Sequence, residues 1–164
     1  LNCILLKKLD VGRWPDRITG YATGVTPEPT GVKFTLDAIE ELIGPEDTFV
    51  ALPQGVMLNY LSKRENPSGF LNFLPSEVEM FGEEKMLQRL KSSSPRFILL
   101  VHTDSSDDGF RFFGQDYGFG IYSWIQSEYT PVRKIGAMPF REPEKFGILI
   151  LKRNEPAGLS AHNP

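Results

Sequence analysis

Phe97-Ile98-Leu99-Leu100-Val101 sets five apolar side chains in a row, between Ser92-Ser93-Ser94-Pro95 upstream and the polar stretch from Asp104 to Asp108 downstream. A strand with one wet face alternates apolar and polar residues. An unbroken apolar run is what a strand needs when helices cover both faces of its sheet. Thr48-Phe49-Val50-Ala51-Leu52 has the same character and is closed by the turn residues Pro53-Gln54-Gly55. Two such runs, each bordered by helical patterns, define an α/β chain.

The helical patterns lie on either side of these strands. Leu36, Ile39, Leu42 and Ile43 share one helical face, with Thr35 placed to cap the first turn and Phe34 and Ile39 at the positions of a hydrophobic staple. Gly44-Pro45 ends that helix. A short helix after Gly55 holds Met57, Leu58 and Leu61, and the stretch from Lys63 to Pro75, with Asn66-Pro67-Ser68-Gly69, is loop. Ser76 and Glu79 have capping-box spacing, Gly82 interrupts the helical pattern, and Met86, Leu87 and Leu90 are helically spaced from Glu83 onward. Tyr117, Ile121, Trp124 and Ile125 mark a further helix ending about Tyr129. Pro131 to Ala137 and Phe146 to Lys152 read as strands joined closely enough for an antiparallel hairpin.

The expected architecture is a three-layer α/β sandwich. Its central sheet is mostly parallel, built through right-handed crossovers, with a C-terminal antiparallel hairpin at one edge. Residues 1–33, punctuated by Gly12, Pro15, Gly20, Gly24, Pro27, Pro29 and Gly31, form an irregular N-terminal segment. A single α/β domain spans 34–153 and a tail spans 154–164. Cys3-Ile4-Leu5-Leu6 reads as an edge strand or as the end of a hydrophobic segment, and the start at Leu1 is what a piece of a longer protein would show.

Composition narrows the function classes. With 164 residues, 40% of them hydrophobic, the chain can bury a real core, which excludes wholesale disorder. A net charge of -3 provides no broad basic surface, so no nucleic-acid partner is expected. Cys3 is the single cysteine, which excludes an internal disulfide, and His102 and His162 are the only histidines. No metal or cofactor is expected. No run of 18 apolar residues is present, so nothing in the sequence reads as a membrane-spanning helix.

If the strands around Val50 and Leu99 run parallel, their C-terminal ends open on one edge, where open α/β sheets bind ligands. Gln54, Gly55, Asn59 and Arg64 would then meet His102, Thr103 and Asp104, and a helix beginning after Gly55 would present free amides to an anion. The same residues also read as a turn and a strand cap. His102 with Asp104 has the makings of a base and its orienter, but no nucleophile is evident and no Gly-x-Ser-x-Gly elbow occurs. Asp104, Asp107 and Asp108 lack the spacing of a calcium loop. Gly114, Gly118 and Gly120 lack that of a nucleotide-binding turn and read as places of close backbone approach. The cluster Phe110-Arg111-Phe112-Phe113 with Tyr117, Phe119, Tyr122 and Trp124 suits sugars or lipid head groups, or else core and partner surface. Lys63, Arg64 and Arg111 are the cations that would address a phosphate.

Leu52-Pro53-Gln54-Gly55-Val56-Met57-Leu58-Asn59-Tyr60-Leu61, Arg64-Glu65-Asn66-Pro67, Phe113-Gly114-Gln115-Asp116-Tyr117-Gly118, Trp124-Ile125 and Phe146-Gly147-Ile148-Leu149 are further informative. Together they resemble the C-terminal soluble region of bacterial multi-spanning membrane glycosyltransferases, relatives of dolichyl-phosphate-mannose protein mannosyltransferases and of the lipid A aminoarabinose transferase. The resemblance covers roughly residues 30 to 153. It implies an extracytoplasmic (periplasmic) α/β domain of a bacterial membrane protein that uses a polyisoprenyl-phosphate sugar donor. The family's catalytic acids lie near the first membrane helices, so no catalytic residue is carried over to this chain. The implied role is a non-catalytic accessory domain that caps the membrane active site or contacts the acceptor. Its partners would be the transmembrane part of the parent protein and a polyisoprenyl-phosphate sugar or an acceptor glycan or lipid. The alternatives are a self-contained small α/β ligand-binding protein or enzyme, with its site at Gln54, Asn59, Arg64, His102 and Asp104, and a purely structural domain.

Overall fold

The computed structural model describes residues 7–11, 18–22 and 28–155. In chain order, β1 (Lys7–Val11) and β2 (Ile18–Ala22) are followed by α1 (Glu28–Leu42), β3 (Phe49–Leu52), α2 (Val56–Ser62), α3 (Pro75–Phe81) and α4 (Glu83–Ser93). Then come β4 (Phe97–Val101), α5 (Phe119–Glu128), β5 (Tyr129–Gly136) and β6 (Gly147–Arg153). β1 and β2 pair antiparallel as a separate two-stranded sheet, and the other strands form a four-stranded sheet in the order β3-β4-β6-β5.

Side-chain parity explains the burial of that sheet. Successive strand residues point to opposite faces. Val50, Leu52, Ile98, Leu100, Leu149 and Leu151 face one apolar cluster with Met86, Leu87 and Leu90 of α4 and Ile121, Trp124 and Ile125 of α5. Phe49, Ala51, Phe97, Leu99, Val101, Ile148 and Ile150 face a second cluster with Ala38 and Ile39 of α1, Ile43 just beyond it, and Leu58 of α2. The result is three layers, helix, sheet and helix. Each fully buried Leu, Ile or Phe contributes about 1.5–3 kcal/mol, so these two faces hold the fold together.

The sheet is mixed, not mostly parallel. β3 and β4 are parallel, while β6 runs antiparallel to both β4 and β5. The reason lies in the connection after α5, which leads at Tyr129 straight into β5. β5 takes the sheet's edge, and the returning β6 fills the slot beside β4. Continuous apolarity reports cover on both faces and carries no information about strand direction. Edge strand β5 is exposed over most of its length and carries Pro131, Arg133, Lys134 and a bulge between Pro131 and Arg133, features that discourage a further strand from pairing.

Four local expectations are corrected. Residues 1–33 are not irregular throughout, since they contain β1, β2 and the start of α1. Thr35 does not cap α1 but lies buried inside it, its Oγ1 donating to the Gly31 carbonyl one turn back at 2.7 Å. Phe34 is exposed while Ile39 is fully buried, so no staple forms. Gly31 lies in the first turn of α1, where a Cβ would stand 2.7 Å from the Phe146 ring. Ser76 likewise sits inside α3, whose N-cap is Leu74 with Pro75 as the first helical residue. Cys3, His162 and the tail beyond residue 155 lie outside the described residues.

Candidate functional site

β3 and β4 do open on a common edge, and the two strand ends touch there. Gln54 Nε2 donates to Thr103 Oγ1 at 3.4 Å, just beyond the cis Leu52–Pro53 peptide. Gly55 adopts φ 143°, where a side chain is strained, and a Cβ would stand 2.9 Å from that of Ala51. α2 then runs back along β3. That reversal carries Asn59 and Arg64 to the opposite end of the strand, away from His102 and Asp104.

Both residues are structural there. Asn59 is buried and its Nδ2 donates to the Phe49 carbonyl at 2.9 Å, while its Oδ1 has no partner. Arg64 donates to the carbonyls of Ile43 at 2.8 Å, Gly44 at 3.4 Å and Ser62 at 2.5 Å. Those carbonyls end α1 and α2, where a cation complements the helix dipole. Lys63 lies over the Tyr60 ring, and Arg111 pairs with Asp104 at 3.5 Å.

His102 is held by main chain on both sides. The Phe140 N–H donates to Nδ1 at 3.0 Å, which places the ring hydrogen on Nε2, where the Pro143 carbonyl accepts it at 3.2 Å. The imidazole packs against Phe112 and stacks on Phe140. Asp104 is equally occupied. One carboxylate oxygen accepts from the backbone and hydroxyl of Ser106, and the other faces Arg111. The Ser106 hydroxyl, then its amide, hold the carboxyl below its ordinary range, with the Arg111 charge lowering it further. A His102–Asp104 dyad is therefore not assembled, since both ring nitrogens are already bonded elsewhere. Among the described residues no group of three or more His, Cys, Asp or Glu is arranged to hold a metal ion. No helix among them is long and apolar enough to cross a membrane.

The aromatic stretch divides sharply. Phe112, Phe113, Tyr117 and Trp124 are core, while Phe110 and Phe119 stay exposed. The Tyr117 hydroxyl meets buried Ser105 at 3.3 Å, and burial pushes its ionisation up to about 12. Gly114 and Gly118 are required by rings, not by neighbouring backbone. A Cβ at either, both at positive φ, would fall 2.3 Å from Tyr122 or Phe113 respectively. Sequence reasoning missed a hollow of about 230 Å³ between α5 and residues 138–141, with Gln126 and Arg141 among its lining residues. No motif marks it, because the two residues belong to segments joined only through the sheet.

The geometry thus defines a three-layer α/β domain whose sheet-edge polar groups are engaged in holding loops. Compared with protein-family models, curated proteins and solved structures, the chain finds no match in any of the three.

Proposed function

We propose that this chain is the non-catalytic accessory domain of a multi-spanning membrane glycosyltransferase that uses a polyisoprenyl-phosphate sugar donor. On this reading it stands on the extracytoplasmic side of the membrane and contacts the acceptor or caps the membrane-embedded site. The observation that carries the reading is the occupation of His102. Both of its nitrogens are bound by the main chain of the loop at Phe140 and Pro143, so the residue best suited to acid–base work is committed to scaffolding. The segments behind the resemblance supply scaffolding of the same kind: Asn59 and Arg64 tie α2 to its neighbours, and Gly114 and Gly118 admit aromatic rings.

Two measurements test this. The coding sequence upstream of Leu1 should encode several hydrophobic spans of about 20 residues each. A parent protein with no such spans refutes the proposal. Deleting residues 34–152 from the parent should abolish or sharply reduce sugar transfer at normal protein levels. Unchanged transfer would reduce the domain to a structural appendage.

A further inference from the structure

Leu100, Leu149 and Phe140, all buried, form an apolar floor under the hollow between α5 and residues 138–141. Its volume of about 230 Å³ is below the roughly 300 Å³ at which pockets for drug-sized ligands begin. That leaves room for one small ring. Tyr122 and Gln126, four residues apart on α5, share a helical face and form one wall. Arg141 stands in the other, and neither it nor Gln126 has a hydrogen-bond or ion-pair partner among the described residues. The nearby Glu142 is engaged by Lys145 at 2.5 Å, and no carboxylate lines the hollow.

The Arg141 wall is fixed in advance. Phe140 adopts φ 61°, a left-handed conformation that a bulky side chain resists. It is held there from both sides. Its N–H donates to His102, and its carbonyl accepts from Gln115 Nε2 at 2.6 Å. Strain kept by two dedicated hydrogen bonds sets the direction of the chain at Arg141 and lowers the ordering cost of binding.

We infer that this hollow binds a single hexose-sized ring carrying a negative charge. The apolar floor and the Tyr122 ring receive the C–H face of a pyranose. The amide of Gln126 both donates and accepts toward ring hydroxyls. Arg141, a guanidinium with no acidic partner, takes the carboxylate or phosphate. The inference goes beyond the accessory-domain reading and does not rest on it. A parent without membrane spans would leave the hollow intact, and an empty hollow would leave the accessory role standing.

The test titrates the 15N-labelled chain with glucuronate, glucose 6-phosphate, glucose and inorganic phosphate, following the backbone amides of Tyr122, Gln126, Met138 and Arg141. One or both charged sugars should give saturable shifts at these positions with Kd on the order of 1 mM. Glucose and phosphate should bind about tenfold more weakly or worse. Which charged sugar binds better separates a carboxylate ligand from a phosphate ligand. The exposed substitutions Arg141→Ala and Arg141→Gln should erase the preference for charged sugars, with the remaining spectrum unchanged. No saturable shift up to about 20 mM, shifts that map elsewhere, phosphate binding as tightly as the sugar phosphate, or an unaltered preference in both variants would each overturn the inference.

Discussion

Replacing Glu83 with alanine should remove the cap of a helix to which Glu83 does not belong. α5 begins after Gly118, which has no side chain to offer its free amides. Glu83, the first residue of α4, supplies the missing acceptor: its Oε1 takes the N–H groups of Gly120 at 2.5 Å and Ile121 at 3.0 Å. A side-chain cap is worth about 1 kcal/mol, and a carboxylate at a helix N-terminus adds about 0.3–1 kcal/mol through the dipole. With Glu83 half-buried, Glu83→Ala should cost about 1.3–2 kcal/mol. Glu83→Gln keeps an acceptor and forfeits only the charge, about 0.3–1 kcal/mol, a difference that added salt should shrink. Urea unfolding followed by circular dichroism reads both values at constant m. The reasoning fails if the alanine variant lies within about 0.5 kcal/mol of the parent, or if glutamine costs as much as alanine.

His102→Ala should destabilise by about 1–3 kcal/mol, because the amide of buried Phe140 loses its acceptor. Hydrogen exchange at Phe140 should accelerate more than in β4, and equal exchange at both would contradict the tether. Gly114→Ala combines φ 78° with a Cβ 2.3 Å from the Tyr122 ring. It should cost about 2–4 kcal/mol; Gly109→Ala, at φ 83° with nothing within 4 Å, should cost only about 1 kcal/mol. Melting temperatures of the pair decide this. Burial pushes Tyr117 and Tyr129 from 10.0 up to about 12. The folded state thus holds these protons longer than the unfolded chain does, so their stabilisation is complete below pH 10 and lost as pH rises towards 12. Spectrophotometric titration should show two phenols ionising late, together with unfolding, and early ionisation of both would show that they are not buried.

The layers were legible in the sequence because their signal is local. Apolar continuity in Phe97 to Val101 and helical spacing at Met86, Leu87 and Leu90 each require only a short window. Strand direction was not legible, since Ile148 to Leu151 would be equally apolar beside β4 in either orientation. The candidate site was legible only in part, for a related reason. Sequence placed Asn59 and Arg64 near the strand end from which α2 departs, but the helix reverses and delivers them to the other end. Gln54 and Thr103 do meet, because each lies just past the end of its strand. The Glu83 cap and the hollow at Arg141 join residues far apart in the chain, and no spacing rule reaches that far.

Apolarity on both faces leaves β4 with a problem of alignment. Sliding a strand by one position normally drives greasy side chains into water and is forbidden on that ground. Here it would merely exchange Ile98 and Leu100 for Phe97, Leu99 and Val101, with no change of polarity. The register must therefore be pinned by shape and by the strand's two ends. Phe97 is fastened through its N–H to Thr48, and His102 through its N–H to Gly147 and its ring to the 140–143 loop. His102 is thus the bolt that stops the central strand from slipping, which gives an imidazole a purpose that requires no substrate.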